Sequence, residues 1–154
     1  NNAGIGEFPT LEDLTMENFM KVYSVNVFGA AFMAQGAAKI FRKQNSGNII
    51  NIASTAGLKG FARGTVYCSS KFALRAMNEC WQAELRPFNI RVSLINPSEV
   101  TTAFANSERK EREEKPNKLS SMEIAHAIRS VLEMDDRGFI PELTVWATNP
   151  FEKK

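Results

Sequence analysis

The chain has 154 residues, 44% of them hydrophobic, which suffices for one globular core in the size range of a single domain. With 19 basic and 17 acidic residues the formal net charge is +2, and the signs are mixed along the chain, so no electrostatic pull toward nucleic acid or an anionic membrane is expected. No apolar run reaches the roughly 18 residues that span a bilayer, no basic–apolar–small signal pattern is present, and the opening Asn1-Asn2-Ala3-Gly4, without a methionine, reads as a cut end.

Asn1 to Pro9 is polar and glycine-bearing and reads as a loop. Thr15, followed by Glu17 and Asn18, offers a helix start. From residue 17 to 43 apolar side chains fall on nearly every face, which predicts a long helix buried on several sides or paired with another subunit. Ser46-Gly47 breaks it. Asn48 to Ile52 predicts a short buried strand that opens into the small-residue loop Ala53-Ser54-Thr55-Ala56-Gly57. Val66 to Leu85 predicts a second long helix, stopped at Pro87. It carries the chain's two cysteines, Cys68 and Cys80. At 1.5 Å per residue these lie about 18 Å apart along the axis, too far to bridge, which fits a reducing compartment such as the cytoplasm.

Ile90 to Ile95 predicts a strand that ends at Asn96-Pro97. The stretch Ser107 to Lys118 alternates charge, contains Pro116 and reads as a solvated, mobile loop. Ser120-Ser121-Met122-Glu123 resembles a helix cap ahead of the apolar face Ile124, Ala125, Ile128, Val131 and Leu132, with Gly138 as the stop. Phe139 to Trp146 predicts a last strand, at an edge because Pro141 lacks an amide proton. Strands alternating with helices imply parallel pairing through crossovers, and hence an α/β fold that is half of a doubly wound sheet. There are no internal repeats, so one domain, or most of one, is expected.

The most informative stretch is Tyr67-Cys68-Ser69-Ser70-Lys71. Residues four apart share a helix face, so the phenol and the ammonium can face one cleft. A phenol with a pKa near 10 is a poor general acid or base at neutral pH, and a nearby cation favours the phenolate. Lowering that pKa by about 3 units takes about 4 kcal/mol of differential stabilisation, which Lys71 and an oxidised nicotinamide ring could supply between them. The plain alternative is a tyrosine packed in the core beside a solvated lysine. Ser54, just beyond the carboxyl end of the first strand, lies where open α/β sheets bind ligands. Its hydroxyl can donate to a substrate carbonyl; alternatively it caps its own backbone. Asn26 is a mediocre helix former inside an apolar helix, and its amide needs partners whether for function or for structure.

Taken together, Asn1-Asn2-Ala3-Gly4, Asn26 within Ser24-Val25-Asn26-Val27-Phe28-Gly29, Ser54 within Asn51–Gly57, and Tyr67-x-x-x-Lys71 resemble the signature set of the short-chain dehydrogenase/reductase family, in order and in spacing. The resemblance implies a Rossmann-like fold of which residues 1–154 are the carboxyl-terminal catalytic part, the 3-oxoacyl-carrier-protein reductases being the similar subgroup. It implies hydride transfer between NADP or NAD, with NADP favoured, and a carbonyl or secondary alcohol, the cofactor carrying the chemistry. It also implies roles. Tyr67 would pass the proton, Lys71 would lower its pKa and bond the nicotinamide ribose, Ser54 would polarise the carbonyl, and Asn26 would hold a water linking Lys71 to solvent. Asn1 and Ala3 would lie beside the cofactor's ribose, while Pro97, Val100 and Thr102, in the segment after the second strand, would contact the nicotinamide. Residues 103 to 119 would form the variable cover over the substrate.

Three departures qualify this. The glycine-rich turn that holds the pyrophosphate in this family has no counterpart in the chain, so the chain alone is expected to bind cofactor weakly and the alternative is a catalytically incompetent module that keeps the fold. Ser98 stands where glycine is usual, and the chain end Thr144–Phe151 lacks the paired-glycine turn of the 3-oxoacyl-carrier-protein reductases. His126 reads as a surface residue, no metal site is indicated, and Trp146 and Phe151 read as packed. The expected partners are a small-molecule substrate and a second copy of the chain, as a dimer or tetramer through the helices at 17–43 and 66–86.

Overall fold

The computed structural model describes residues 1–106, 108 and 110–151; Ser107 and Arg109 of the charged stretch and residues 152–154 lie outside the described part. Thr15 caps the first helix reciprocally. Its Oγ1 accepts from the Asn18 amide at 3.1 Å, and the Asn18 side chain accepts from the Thr15 amide at 3.1 Å. From there the chain is helical to Gln44, in three pieces: α1 (Met16–Tyr23), a wider π-helical segment (Ser24–Gly29) and α2 (Ala30–Gln44). The single regular helix expected over 17–43 is therefore corrected. The π segment carries the buried Asn26, whose amide draws its partners from outside the helix. Helix α2 ends at Asn45, which takes the left-handed conformation (φ 52°), rather than at Ser46-Gly47. Gly47 serves packing instead: a Cβ there would overlap the Phe41 ring.

Three strands follow, β1 (Gly47–Ile52), β2 (Ile90–Pro97) and β3 (Glu142–Val145), in the order β1-β2-β3 and all parallel. The crossovers contain α3 (Thr65–Leu85) and α4 (Ser121–Leu132). Successive strand residues face opposite sides, and β2 shows the consequence. Leu94 packs with Ala30, Ala53 and Leu74, on the α2–α3 side, whereas Ile95 packs with Ile124 and Val131, on the α4 side. The sheet is thus covered on both faces, which is why β2 is buried along nearly its whole length although Arg91, Ser93 and Asn96 stand among its apolar residues. Burial of Ile90, Val92, Leu94 and Ile95, each at most 1% exposed, contributes about 1.5–3 kcal/mol per side chain.

The last helix starts where expected, with Ser120 and Glu123 capping one another. It stops at Leu132, well before Gly138, because Arg91 reaches from β2 to the carbonyl of Met134 at 2.9 Å and Asp135 organises a turn onto Arg137. The last strand is shorter than the expected 139–146 and begins after Pro141, whose carbonyl still accepts from the Leu94 amide at 3.0 Å. Its edge position holds. Trp146 and Phe151 are 64% and 77% exposed, so the expectation that both are packed is corrected. Cys68 is buried and Cys80 exposed. Among the described residues no helix is long and apolar enough to cross a membrane, and no group of His, Cys, Asp and Glu could hold a metal ion. His126 lies on the exposed face of α4.

Candidate active site

The carboxyl end of β1 turns sharply. The Ala53 amide donates to Ile95 at 2.8 Å, which keeps the chain on β2 one residue past the strand. Ser54 is fully extended and caps the short 3-10 turn Thr55–Gly57, its Oγ accepting from the Ala56 amide at 3.1 Å. The capping alternative for Ser54 is therefore realised, alongside its position at the strand end. Gly57 lies flush on α3, where a Cβ would come within 3.0 Å of the Lys71 carbonyl oxygen. That close approach brings Ser54 to Tyr67, near enough to act as a hydrogen-bond partner of the phenol.

Tyr67 and Lys71, one turn apart on α3, are only 8% and 4% exposed, which removes the alternative of a solvated lysine. The Lys71 ammonium donates to the Ile52 carbonyl at 3.0 Å and sits 5.8 Å from the centre of the Tyr67 ring. Asn26 approaches from the π segment. Its Oδ1 accepts from the Ile5 amide at 2.9 Å, and its Nδ2 donates to the Ile5 carbonyl at 2.9 Å and to Ser70 Oγ at 3.0 Å. Ser70 Oγ in turn donates to the Tyr67 carbonyl at 2.7 Å. Asn26 thus ties the opening loop to the helix that carries Tyr67. That loop crosses directly above the lysine: a Cβ on Gly4 would lie 3.5 Å from Lys71 Nζ and 3.6 Å from Asn26 Oδ1.

The remaining expected residues flank this point. Asn1 extends the open edge of β1, its carbonyl accepting from Ile52 at 2.9 Å and its side-chain amide donating to Asn51 at 2.7 Å, while Asn51 donates to Asn78 at 2.8 Å. Ala3 is exposed on the same loop. Pro97 closes β2 and is buried; Val100 bridges to Leu119, and Thr102 accepts from the Phe104 amide at 3.3 Å. Ser98 needs no positive φ, and its hydroxyl accepts from the Ala147 amide at 3.3 Å, so serine serves where glycine is usual. The charged segment is tied down at its base: Arg112 donates to Glu99 at 2.9 Å and to the Thr102 carbonyl at 3.1 Å, and Lys118 donates to Glu99 at 2.7 Å. These two cations hold the Glu99 carboxyl below its ordinary pKa.

Electrostatically, the chain by itself does not make the tyrosine acidic. Burial raises the Tyr67 phenol above its ordinary value, and the Ser54 hydroxyl pulls it back in part. Burial also lowers the Lys71 ammonium to about 8. The expected lowering of the Tyr67 pKa thus has no counterpart among the chain's own residues, where desolvation is the larger effect.

Sequence reasoning missed Ser70 and three rings. Phe8 and Phe104 stand 5.5 and 5.4 Å from the Tyr67 ring, and Phe61 stands 6.2 Å from Phe8. Ser70 had a readable signal, a small polar residue three positions after the tyrosine on the same helix. The phenylalanines sit in loops, where no periodicity marks a residue as belonging to a site.

Residues 1–113 match the family described as short chain dehydrogenase. The chain is 37% identical over 102 residues to sepiapterin reductase of Chlorobaculum tepidum, covering 66% of this chain and 42% of that protein. It is 35% identical over 125 residues to L-xylulose reductase of Caenorhabditis elegans, covering 80% of this chain and 50% of that protein. It spans about half the length, or less, of these curated relatives. In structure it resembles the alcohol dehydrogenase of the archaeon Thermococcus sibiricus complexed with 5-hydroxy-NADP, with a TM-score of 0.85 at 27% identity, over 99% of this chain and 63% of that one. The sheet order, the strand-end site and a match over 113 residues agree, and the chain belongs to the short chain dehydrogenase family.

Proposed function

We propose that the protein carrying this chain is an NAD(P)-dependent oxidoreductase that interconverts a carbonyl and a secondary alcohol, with NADP the favoured cofactor. The observation that supports this best is the convergence of Ser54, Tyr67 and Lys71 at the carboxyl end of β1, with Asn26 bracing the helix beneath them. The residues around that point suit the nicotinamide half of a cofactor. The Asn1–Gly4 loop passes close over Lys71 on one side, and the backbone of Pro97 to Thr102 borders the other. A structural relative carrying an NADP derivative supports the same reading.

When bound, the cofactor supplies the hydride that the carbonyl carbon accepts. The protein does the rest. Ser54 donates to the carbonyl oxygen and stabilises the charge that develops there. Tyr67 delivers its phenolic proton to the same oxygen, so reduction consumes one hydride and one proton. Lys71, held at Ile52, brings the positive charge that lowers the cost of the phenolate, opposing the rise that burial imposes. Asn26 would hold a water between Lys71 and solvent for reprotonation, in addition to its bonds to Ile5 and Ser70.

Carbonyl reduction by the protein carrying this chain, assayed with NADPH and NADH, tests the proposal. Tyr67→Phe is expected to lower kcat at least a hundredfold, the scale of a lost general acid. Full activity in that variant would overturn the assignment.

A further inference from the structure

Phe8 and Phe104 pack against the Tyr67 ring and Phe61 stacks on Phe8, and each of the three comes from a different loop. Phe8 lies in the opening loop, Phe61 between Ser54 and Tyr67, and Phe104 just after the segment that closes β2. The centroid separations of 5.4 to 6.2 Å are those of rings in mutual contact. Gly6 lets them close: a Cβ there would sit 2.8 Å from the Phe8 ring and 3.3 Å from that of Phe104. Arg63 braces the arrangement by donating through Nε to the Phe8 carbonyl at 2.9 Å.

Two of these rings are open to solvent. Phe61 is 52% and Phe104 37% exposed, although the tyrosine between their loops is buried, and Phe8 is half-buried against Ala56, Tyr67 and Cys68. Three distant loops therefore hold apolar surface open to solvent at the one place where a substrate carbonyl must lie. The polar groups nearby are committed. Ser54 and Tyr67 serve the carbonyl oxygen, Lys71 bonds Ile52, and Arg112 bonds Glu99 and the Thr102 carbonyl.

Resting on the oxidoreductase reading, we propose that the site takes neutral carbonyl compounds bearing an aryl or similarly bulky apolar group, seated by Phe8, Phe61 and Phe104. A ring stacked in this collar gains dispersion and burial. A polyhydroxylated ketone would instead bury hydroxyls against ring faces without partners, which forfeits their bonds to water and disfavours it to a moderate degree.

The test uses the full protein with NADPH and compares kcat/KM for propiophenone with that for erythrulose. The aryl ketone is expected to lead, and its lead is expected to fall about tenfold in Phe61→Ser and in Phe104→Ser. Phe61→Leu, which keeps apolar bulk, is expected to fall between the parent and Phe61→Ser. A preference for erythrulose in the parent, or an equal loss on both substrates in the variants, overturns the collar. Ligand-observed NMR of propiophenone supplies a readout independent of turnover. Binding that Phe61→Ser abolishes, in a protein that reduces neither ketone, would keep the collar and reject the oxidoreductase reading. Absence of both binding and turnover would reject the two together.

Discussion

Lys71 is the residue whose chemistry most constrains the protein as a whole. Burial lowers its pKa from 10.5 to about 8, so at neutral pH folding encloses a charge that the unfolded chain keeps in water. Between pH 8 and 10.5 the unfolded state binds more protons than the folded one, and stability rises with pH across that window by roughly 3 kcal/mol. Tyr67 acts in the opposite sense: its raised pKa makes stability fall as pH climbs above 10. Denaturation midpoints are therefore expected to increase from pH 8 toward pH 10 in the parent, and that increase is expected to vanish in Lys71→Met. A flat profile in the parent would show that Lys71 titrates normally. Helix spacing and place at a strand end made Tyr67, Lys71 and Ser54 candidates in the sequence, and with Asn26 they were singled out by their resemblance to the family's signature set. Their protonation was not legible, because desolvation depends on what covers a side chain. That covering comes from the Asn1–Gly4 loop and the aromatic loops, elements remote in sequence.

At the scale of elements, the π segment is the part that sequence periodicity could not disclose. Apolar residues on every face conceal a change from one helical winding to another, and the departure is announced only by one asparagine in an unfavourable place. Asn26→Ala would leave the Ile5 amide, the Ile5 carbonyl and the Ser70 hydroxyl short of a partner. A loss of about 2 kcal/mol in urea denaturation is expected, since abandoned buried partners cost more than the bond itself returns. A loss below about 0.5 kcal/mol, the lower end for one ordinary bond, would mean that the amide does not hold the opening loop. Caps were readable for the opposite reason: Thr15 with Asn18 and Ser120 with Glu123 are local, and their partners lie three residues away. The ends of α4 and β3 were misjudged because Arg91 and Leu94, both on β2, decide them.

For the whole molecule, the outer surface of the helices that cover the sheet on the α2–α3 side carries large apolar side chains in solvent. Phe28, Phe32, Met33 and Ile40 are 44–70% exposed, and a groove of about 440 Å³ runs between α2 and α3, with Phe32 and Trp81 in its lining. We expect two copies to associate there. Phe32→Lys should then lower the mass seen in sedimentation velocity, while a parent that runs as a strict monomer would count against the interface. The layered α/β architecture itself was legible, because strands alternate with helices along the chain and each crossover contains one clear helix. The exposure of Trp146 and Phe151 was not, since a large apolar side chain near a chain end carries no sign of whether anything lies over it. The order β1-β2-β3 also has a kinetic consequence. Neighbouring strands first meet across long stretches of chain, Asn48 with Arg91 across 43 residues and Asn96 with Glu142 across 46. The entropy of closing such loops grows only with the logarithm of their length, so both closures carry nearly the same barrier and neither pairing has a head start. Only β2 takes part in both. Substitutions that weaken the pairing of β2 are accordingly expected to slow refolding more than they speed unfolding, which stopped-flow rates in urea would read.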